Sequence, residues 1–216
     1  MDYKKYETKV MTHFCLEERL IFLGSGNEGC VWTDKKNVYK IIYNSRKKLE
    51  LYWSLLSLSE TINALNGIHV LPKFTVSFAN NFVFIFYPYE ETVNFIDSNK
   101  VTINEFISLM QQFKKICWVS WDLQPKNFRV TSKGKIIIID IGRSFIPHSN
   151  YLFGSMCRRA FVIYKLQEES LGEDDFRECL NSVNKDENFS LISKFGFLET
   201  DLKKEYAKFY QSVLQK

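Results

Sequence analysis

The stretch that most constrains the fold lies in the middle of the chain, where Asp122, Asn127 and Asp140 are separated by short apolar segments. Residues 128–130 and 135–139 have strand composition, and the four residues between them form turns, so the pair predicts a hairpin. The hairpin would bring Asn127 close to Asp140. Amide and carboxylate oxygens suit a hard cation such as Mg²⁺, with phosphate oxygens and water as its other ligands. Asp122 could then accept a proton, although all three side chains could also simply cap a loop and end a strand.

A glycine-rich stretch begins at Gly24. The residues that precede it, 19–23, have the apolar pattern of a buried strand. Its G-x-G-x-x-G spacing fits the turn glycines of a hairpin, a Rossmann phosphate loop, or a flap over nucleotide phosphates. The Rossmann interpretation requires a helix to begin at the glycines. Strand and turn residues follow instead, so a strand–loop–strand is predicted.

The next strand, over residues 38–42, places Lys40 inside an apolar run. A buried ammonium is costly unless it meets an acceptor or an anion. Lys40 therefore either binds an anion or lies on an edge strand in water.

A helix is predicted over residues 45–65, because the segment lacks Gly and Pro and ends at Asn66-Gly67. Glu50 and Glu60 are ten residues apart on it and lie on different faces. Strands over residues 70–78 and 82–89, joined by a tight turn at Asn80-Asn81, complete a five-stranded sheet.

The C-terminal half predicts further helices near residues 102–116, 151–168 and 200–214. A polar, acidic stretch over residues 168–188 is predicted to be a loop with a short helical piece. The N-terminal residues 1–18 predict a short helix or strand that packs on the first lobe.

These motifs, taken in order, resemble those of the protein-kinase-like superfamily. Five motifs occur along the chain in the same order as in the family: the glycine loop, the strand lysine, a helix glutamate, D-L-Q-P-K-N and D-I-G. The resemblance implies one α+β, bilobal kinase-like domain. Residues 1–89 would be the small lobe, a five-stranded antiparallel sheet with one long helix. Residues 90–216 would be a truncated, mostly helical large lobe.

The resemblance also implies ATP and Mg²⁺ as cofactors and a role for each motif residue. Lys40 would hold the α and β phosphates and pair with Glu60, or alternatively with Glu50. Asp122 would be the catalytic base, and Asn127 with Asp140 would hold the metal. The residues implied in nucleotide binding are the flap positions Gly24, Ser25, Gly26, Asn27, Gly29 and Val31, the gatekeeper Phe86, and the hinge residues Tyr87 and Tyr89.

Departures from the family pattern point to a minimal, atypical kinase similar to RIO-type kinases and to bacterial small-molecule and glycan-core kinases. Ser120 and Trp121 replace the family's His and Arg, Gln124 replaces a Lys, and no A-P-E follows. The expected activity is transfer of the γ-phosphate to a hydroxyl, with an atypical Ser/Thr-type protein kinase as the first interpretation. A kinase of a sugar, glycan, lipid-linked or other small-molecule hydroxyl is the alternative. A pseudokinase scaffold for a partner protein is the second alternative.

Composition narrows the classes of protein to which this chain can belong. At 45% hydrophobic residues the chain can bury a sizeable core, and a net charge of +4 is too small to indicate nucleic acid. Five scattered cysteines without a C-x-x-C pair, and no apolar leader, predict a cytoplasmic protein without structural zinc or a transmembrane segment. Five basic residues could form a rim for an anionic acceptor, or lie solvated on the surface: Lys126, Arg129, Arg143, Arg158 and Arg159.

Overall fold

In a computed structural model, the residues described are 3–98, 101–167, 169, 171, 173–183 and 189–215. The chain divides into two compact units. The first comprises Met1–Glu91 together with Ile141–Arg143, and the second comprises Thr92–Asp140 and Ser144–Lys216. The three residues that follow Asp140 therefore pack with the N-terminal part of the chain, although the sequence assigned them to the second lobe.

The first unit is built on a five-stranded antiparallel sheet, as predicted. Its strands stand in the order β1-β2-β3-β5-β4, so β3 is central. Their bounds are β1 (Ile21–Ser25), β2 (Gly29–Thr33), β3 (Asn37–Ile42), β4 (Thr75–Ala79) and β5 (Phe82–Pro88). The two-residue turn between β4 and β5 has positive φ at Asn80 and Asn81, 51° and 61°, which matches the twist of the flanking strands.

Two strand predictions were wrong in part. The run predicted to be a buried strand forms β1, whose Ile21, Phe22 and Leu23 are each more than 40% exposed because β1 lies at the edge of the sheet. The strand predicted from residue 70 begins only at Thr75. Pro72 has no N–H to donate to a ladder, which helps explain why the preceding residues enter the core without pairing.

Two helices cover the two faces of this sheet. The N-terminal helix α1 (Lys4–Phe14) packs against the face that carries Tyr39, Ile41 and Phe84, and His13 stacks on Phe84 with ring centroids 3.9 Å apart. Side chains alternate along a strand, so Lys40 projects from the opposite face. The long helix α2 (Lys48–Ala64) packs there, on β4 and β5.

The second unit is mainly helical. Its helices are α3 (Ile103–Ile116), α4 (Asn150–Leu166), α5 (Glu173–Ser182) and α6 (Glu199–Leu214), and α3, α4 and α6 pack together. Each falls within a few residues of a predicted helical segment. Within the polar stretch, residues 168, 170, 172 and 184–188 lie outside the described residues. No helix in the described part of the chain is both long and apolar enough to cross a membrane.

The central stretch that contains Asp122 and Asn127 lies among short strands in the second unit. The predicted hairpin is formed by β8 (Phe128–Thr131) and β9 (Ile136–Ile138), with Phe128 opposite Ile138. Three strands that were not predicted complete two small antiparallel sheets, β6-β8-β9 and β7-β10. These strands are β6 (Thr92–Asn94), β7 (Trp118–Ser120) and β10 (Phe145–Pro147).

Gly29 allows β2 and β3 to approach each other. It lies opposite Ile42, and a Cβ placed on it would collide with the backbone carbonyl oxygen of Ile41. Backbone atoms of a central strand cannot move aside as a flexible side chain can.

We therefore expect Gly29→Ala to lower the free energy of unfolding by about 1–3 kcal/mol, the usual cost of overpacking. Gly26→Ala is the matched control, because a Cβ there has no atom within 4 Å. It should change stability by less than about 0.5 kcal/mol. Urea denaturation of the two variants makes the comparison, and equal stability would contradict the assigned role of Gly29.

Candidate functional site

Lys40 is a buried cation on the central strand of the first unit. It lies between Val31 and Ile85 and is 3% exposed, so it does not lie on an edge strand in water. Its Nζ donates a hydrogen bond to the backbone carbonyl of Ile141 at 2.8 Å. This bond meets part of the ammonium's need for acceptors in an apolar setting. It also attaches the D-I-G segment to the sheet.

A second contact to the same segment comes from Glu28, in the glycine-rich loop. Its Oε1 lies 2.7 Å from Nε of Arg143, and its Oε2 accepts a hydrogen bond from the Arg143 backbone N–H at 3.3 Å. Gly142 is enclosed beside these groups. A Cβ on Gly142 would collide with the Glu28 carboxylate and would lie 3.6 Å from Lys40 Nζ. The glycine of D-I-G is thus the point at which the lysine and the carboxylate approach each other.

The glycine-rich loop is a strand–loop–strand, as predicted. The Gly26 N–H donates to the Gly29 carbonyl at 3.0 Å and closes the loop. Ser25 Oγ donates to the Tyr3 hydroxyl at 3.1 Å, and the Asn27 carbonyl accepts from Asn44 Nδ2 at 2.7 Å. No helix begins at the glycines, which excludes the Rossmann arrangement. Nucleotide binding by Gly24, Ser25, Gly26, Asn27, Gly29 and Val31 stays a prediction.

The predicted ion pair between Lys40 and Glu60 stays a prediction. Glu60 is exposed on α2, whereas Lys40 is 3% exposed. The alternative, Glu50, is also exposed and pairs with Lys47 at 3.0 Å. The acidic group that contacts Arg143, next to the D-I-G segment, is Glu28 of the glycine-rich loop.

The structure places the predicted gatekeeper Phe86 on the face of the sheet opposite to that of Lys40. Phe86 lies opposite Tyr39, and its ring contacts those of Tyr39 and Phe14, so it belongs to the face covered by α1. The face of Lys40 carries Ile85 and Tyr87 instead. Sequence spacing misplaced the side chain by one residue, and in a strand a shift of one residue reverses the face.

The predicted hinge has one backbone donor already in use. The Tyr89 N–H donates to the Lys36 carbonyl at 2.8 Å, and Pro88, which has no N–H, stays paired opposite Asn37. An adenine contact through the Tyr89 N–H would have to displace this bond. Tyr87 is 7% exposed and Tyr89 is 40% exposed. Their role in binding adenine stays a prediction.

In the second unit, the loop after β7 brings Asp122 and Asn127 together. Gln124 Nε2 donates to Asp122 Oδ1, and Asn127 Nδ2 donates to the Asp122 carbonyl at 3.2 Å. A short 3₁₀ turn, Pro125–Asn127, leads into β8. The Ile139 N–H donates to the Asn127 carbonyl at 3.1 Å, and Asp140 follows directly. The hairpin thus places Asn127 beside the end of β9, as the sequence analysis predicted.

The side chains of Asn127 and Asp140 carry oxygen donors of the type that Mg²⁺ prefers, and their binding of a metal stays a prediction. The amide nitrogen of Asn127 is committed to a carbonyl, so its oxygen is the atom that can face a cation. Asp140 is exposed and supplies a carboxylate. The described residues contain no group of three or more His, Cys, Asp or Glu side chains that could enclose a metal. Two protein oxygen donors, with water and phosphate as the other ligands, suit Mg²⁺, which usually does not bind in a site made of protein ligands alone.

Arg159 supports this loop from helix α4, so the alternative in which it lies solvated on the surface is wrong. It is 5% exposed, and its Nε donates to the Leu123 carbonyl at 3.2 Å. Burial lowers the pKa of the guanidinium, and the negative charge of Asp122 acts in the opposite direction. Met156 contacts the end of β7, where its sulfur accepts a hydrogen bond from the Ser120 N–H at 3.2 Å. Met156, Arg159 and Ile163 follow helical spacing on one face of α4, and this pattern in the sequence could have predicted that Arg159 is buried.

Comparison with known proteins supports the fold. The chain matches no model of a known protein family and no curated protein sequence. Among solved structures it resembles WbdD, determined in a co-crystal with the kinase inhibitor LY294002, with a TM-score of 0.51 and 13% sequence identity. The match covers 87% of this chain and 45% of the WbdD chain. The fold is kinase-like. At this identity the likeness concerns the fold alone, and the chain spans less than half of WbdD.

The buried position of Arg159 predicts that it is coupled to Asp122. Arg159→Met should lower the free energy of unfolding by about 1–3 kcal/mol, because it leaves the Leu123 carbonyl without its donor and Asp122 without a neighbouring cation. Asp122→Asn should also destabilise the protein, since Arg159 would lose its countercharge. The double variant should lose about 0.5–3 kcal/mol less than the sum of the two single changes. Chemical denaturation of the four proteins gives this coupling.

Arg158→Met is the matched control for the same experiment. Arg158 also donates to a carbonyl, that of Val183 at 2.8 Å, but it is only partly buried. It should therefore show no coupling to Asp122. Strictly additive effects of the Arg159 and Asp122 changes would contradict the support assigned to Arg159.

Proposed function

We propose that this protein is a phosphotransferase that uses ATP and Mg²⁺ and transfers the γ-phosphate to a hydroxyl acceptor. The observation that carries the proposal is the buried ammonium of Lys40, held on the central strand at the carbonyl of the D-I-G segment. A cation in such a place is costly to bury and is useful where polyphosphate must be bound. The kinase-like fold and the arrangement of the Asp122 loop support the same activity.

Each residue has a role that its setting supports. Lys40 would bind the α and β phosphates. The amide oxygen of Asn127 and the carboxylate of Asp140 would hold Mg²⁺, which neutralises charge on the phosphate oxygens during transfer. Asp122 would accept the proton of the acceptor hydroxyl or orient that hydroxyl. Because phosphoryl transfer depends mainly on positioning and charge neutralisation, these few groups are sufficient.

Gln124 bears on the role of Asp122. It donates to one carboxylate oxygen, Oδ1, so Asp122 is held in one orientation and Oδ2 is the oxygen left to meet the acceptor. The position holds a neutral amide and not a lysine, so this residue contributes no positive charge at the γ-phosphate. We infer an atypical Ser/Thr-type protein kinase as the first activity, with a sugar, glycan, lipid-linked or other small-molecule hydroxyl as the alternative acceptor.

Nucleotide binding is the first test. A ligand that binds only the folded state stabilises it by about 2.7 kcal/mol at 100 times its dissociation constant, so Mg-ATP should raise the melting temperature. Lys40→Met, which keeps the length of the side chain and removes its charge, should abolish most of the increase. Lys73→Met is the control, because Lys73 is exposed. No increase for the wild type at millimolar Mg-ATP would contradict the proposal.

Turnover is the second test, and it separates an enzyme from a scaffold. Asp122→Asn keeps the oxygen that accepts from Gln124 but removes the base, so the rate should fall by about 10²- to 10⁴-fold. Radiolabelled ATP incubated with a fractionated lysate measures the rate and sorts the acceptors into protein, glycan, lipid and small-molecule pools. The experiment should be run below the melting temperature of the variant, with Asp201→Asn on α6 as an exposed control. Wild-type turnover in Asp122→Asn would favour the scaffold.

A further inference from the structure

We infer that Glu28 is a positioning residue, whose ion pair with Arg143 fixes the glycine-rich loop on the D-I-G segment for nucleotide binding. This inference rests on the proposed function and deepens it. Glu28 would take the role that the family resemblance gave to Glu60, an acidic group that keeps Lys40 and its surroundings in a productive arrangement.

The first observation is that one carboxylate makes two contacts with one residue. Glu28 Oε1 lies 2.7 Å from Arg143 Nε, and Oε2 accepts from the Arg143 backbone N–H at 3.3 Å. The side chain of Glu28 is 20% exposed and that of Arg143 is 53% exposed. Solvent screens a pair this accessible, so its contribution to stability is modest. The backbone contact has a different consequence, because it fixes the position of the main chain at residue 143.

The second observation is that the backbone of Glu28 is itself anchored. Its carbonyl accepts hydrogen bonds from the N–H groups of Tyr43 and Asn44, both at 3.1 Å, just beyond the end of β3. The side-chain amide of Asn44 also donates a hydrogen bond to the carbonyl of Asn27 in the loop, at 2.7 Å. The carboxylate therefore extends from an anchored backbone, and its contact with Arg143 restricts the position of residues 141–143.

The third observation is that the D-I-G segment is held from two directions. Lys40 binds the carbonyl of Ile141, and Glu28 binds the N–H of Arg143, on either side of Gly142. A Cβ on Gly142 would collide with the Glu28 carboxylate, which would have to move aside. Loss of Glu28 would free one end of the segment and one side of the glycine-rich loop together.

Charge makes the sign of the effect informative. Lys40, Arg143 and Glu28 together carry one net positive charge. Replacing Glu28 with a neutral residue raises this to two, so electrostatics alone predicts tighter binding of a nucleotide polyanion. A positioning role predicts the opposite, because the loop and the D-I-G segment lose their common anchor and the nucleotide must order them when it binds.

The experiment uses the full chain with Glu28→Gln, Arg143→Gln and the exchanged pair Glu28→Arg with Arg143→Glu. Mg-ADP affinity is measured by calorimetry, and kcat and KM for ATP are measured in the assay above. Each single change should weaken Mg-ADP binding about tenfold, as expected for the loss of one charge-assisted contact. The exchanged pair restores the ion pair but places no acceptor at position 28 for the backbone N–H of residue 143, so it should recover only part of the affinity. Glu18→Gln, at an exposed site, is the control.

Amide hydrogen exchange of the glycine-rich loop and of residues 141–143 provides a readout that needs no nucleotide. Glu28→Gln should speed exchange in both segments, and the exchanged pair, which restores the ion pair alone, should restore only part of the protection. If the wild type binds no nucleotide but this coupled exchange is seen, the proposed function fails and the positioning contact stands. If the wild type binds Mg-ADP and Glu28→Gln binds it equally or more tightly, the inference is overturned. It is also overturned if Glu60→Gln, and not Glu28→Gln, weakens binding.

Discussion

The hydrogen bond between the Lys40 ammonium and the Ile141 carbonyl is the interaction on which the organisation of the first unit depends. Lys40 is only 3% exposed, so its charge must be met largely by acceptors inside the protein. One acceptor, the Ile141 carbonyl, lies 101 residues further along the chain. Residues 141–143 are therefore part of a unit otherwise built from the first 91 residues, and the glycine-rich loop contacts them through Glu28.

The second unit has the same design in another place. Arg159 is a buried cation that donates to a backbone carbonyl, that of Leu123, and it lies near the carboxylate of Asp122. In each unit a buried charge holds an irregular segment against regular structure, β3 in one case and α4 in the other. Buried charges make such contacts specific, because a misplaced loop would leave the cation without its acceptor. The segments that would act on substrates are in this way positioned by rigid elements.

Strand alternation divides the residues of the sheet between two purposes. Tyr39, Phe84 and Phe86 belong to the face that α1 covers, where stacked rings fill the core. Lys40 and Ile85 belong to the other face. The aromatic residues of β3 and β5 on the first face therefore contribute to the packing against α1.

The sequence by itself determined the strand and helix order, the hairpin that places Asn127 beside Ile139, and the positions of Lys40 and Asp122 in their elements, because these follow from local pattern and turn chemistry. Tertiary structure decided which acidic residue contacts the D-I-G segment. Glu60 and Glu50 remain on the surface of α2, and Glu28 makes the contact, since only the packed loop brings it to Arg143. Burial of Arg159 and the face of Phe86 were decided in the same way, by packing between elements that are distant in sequence.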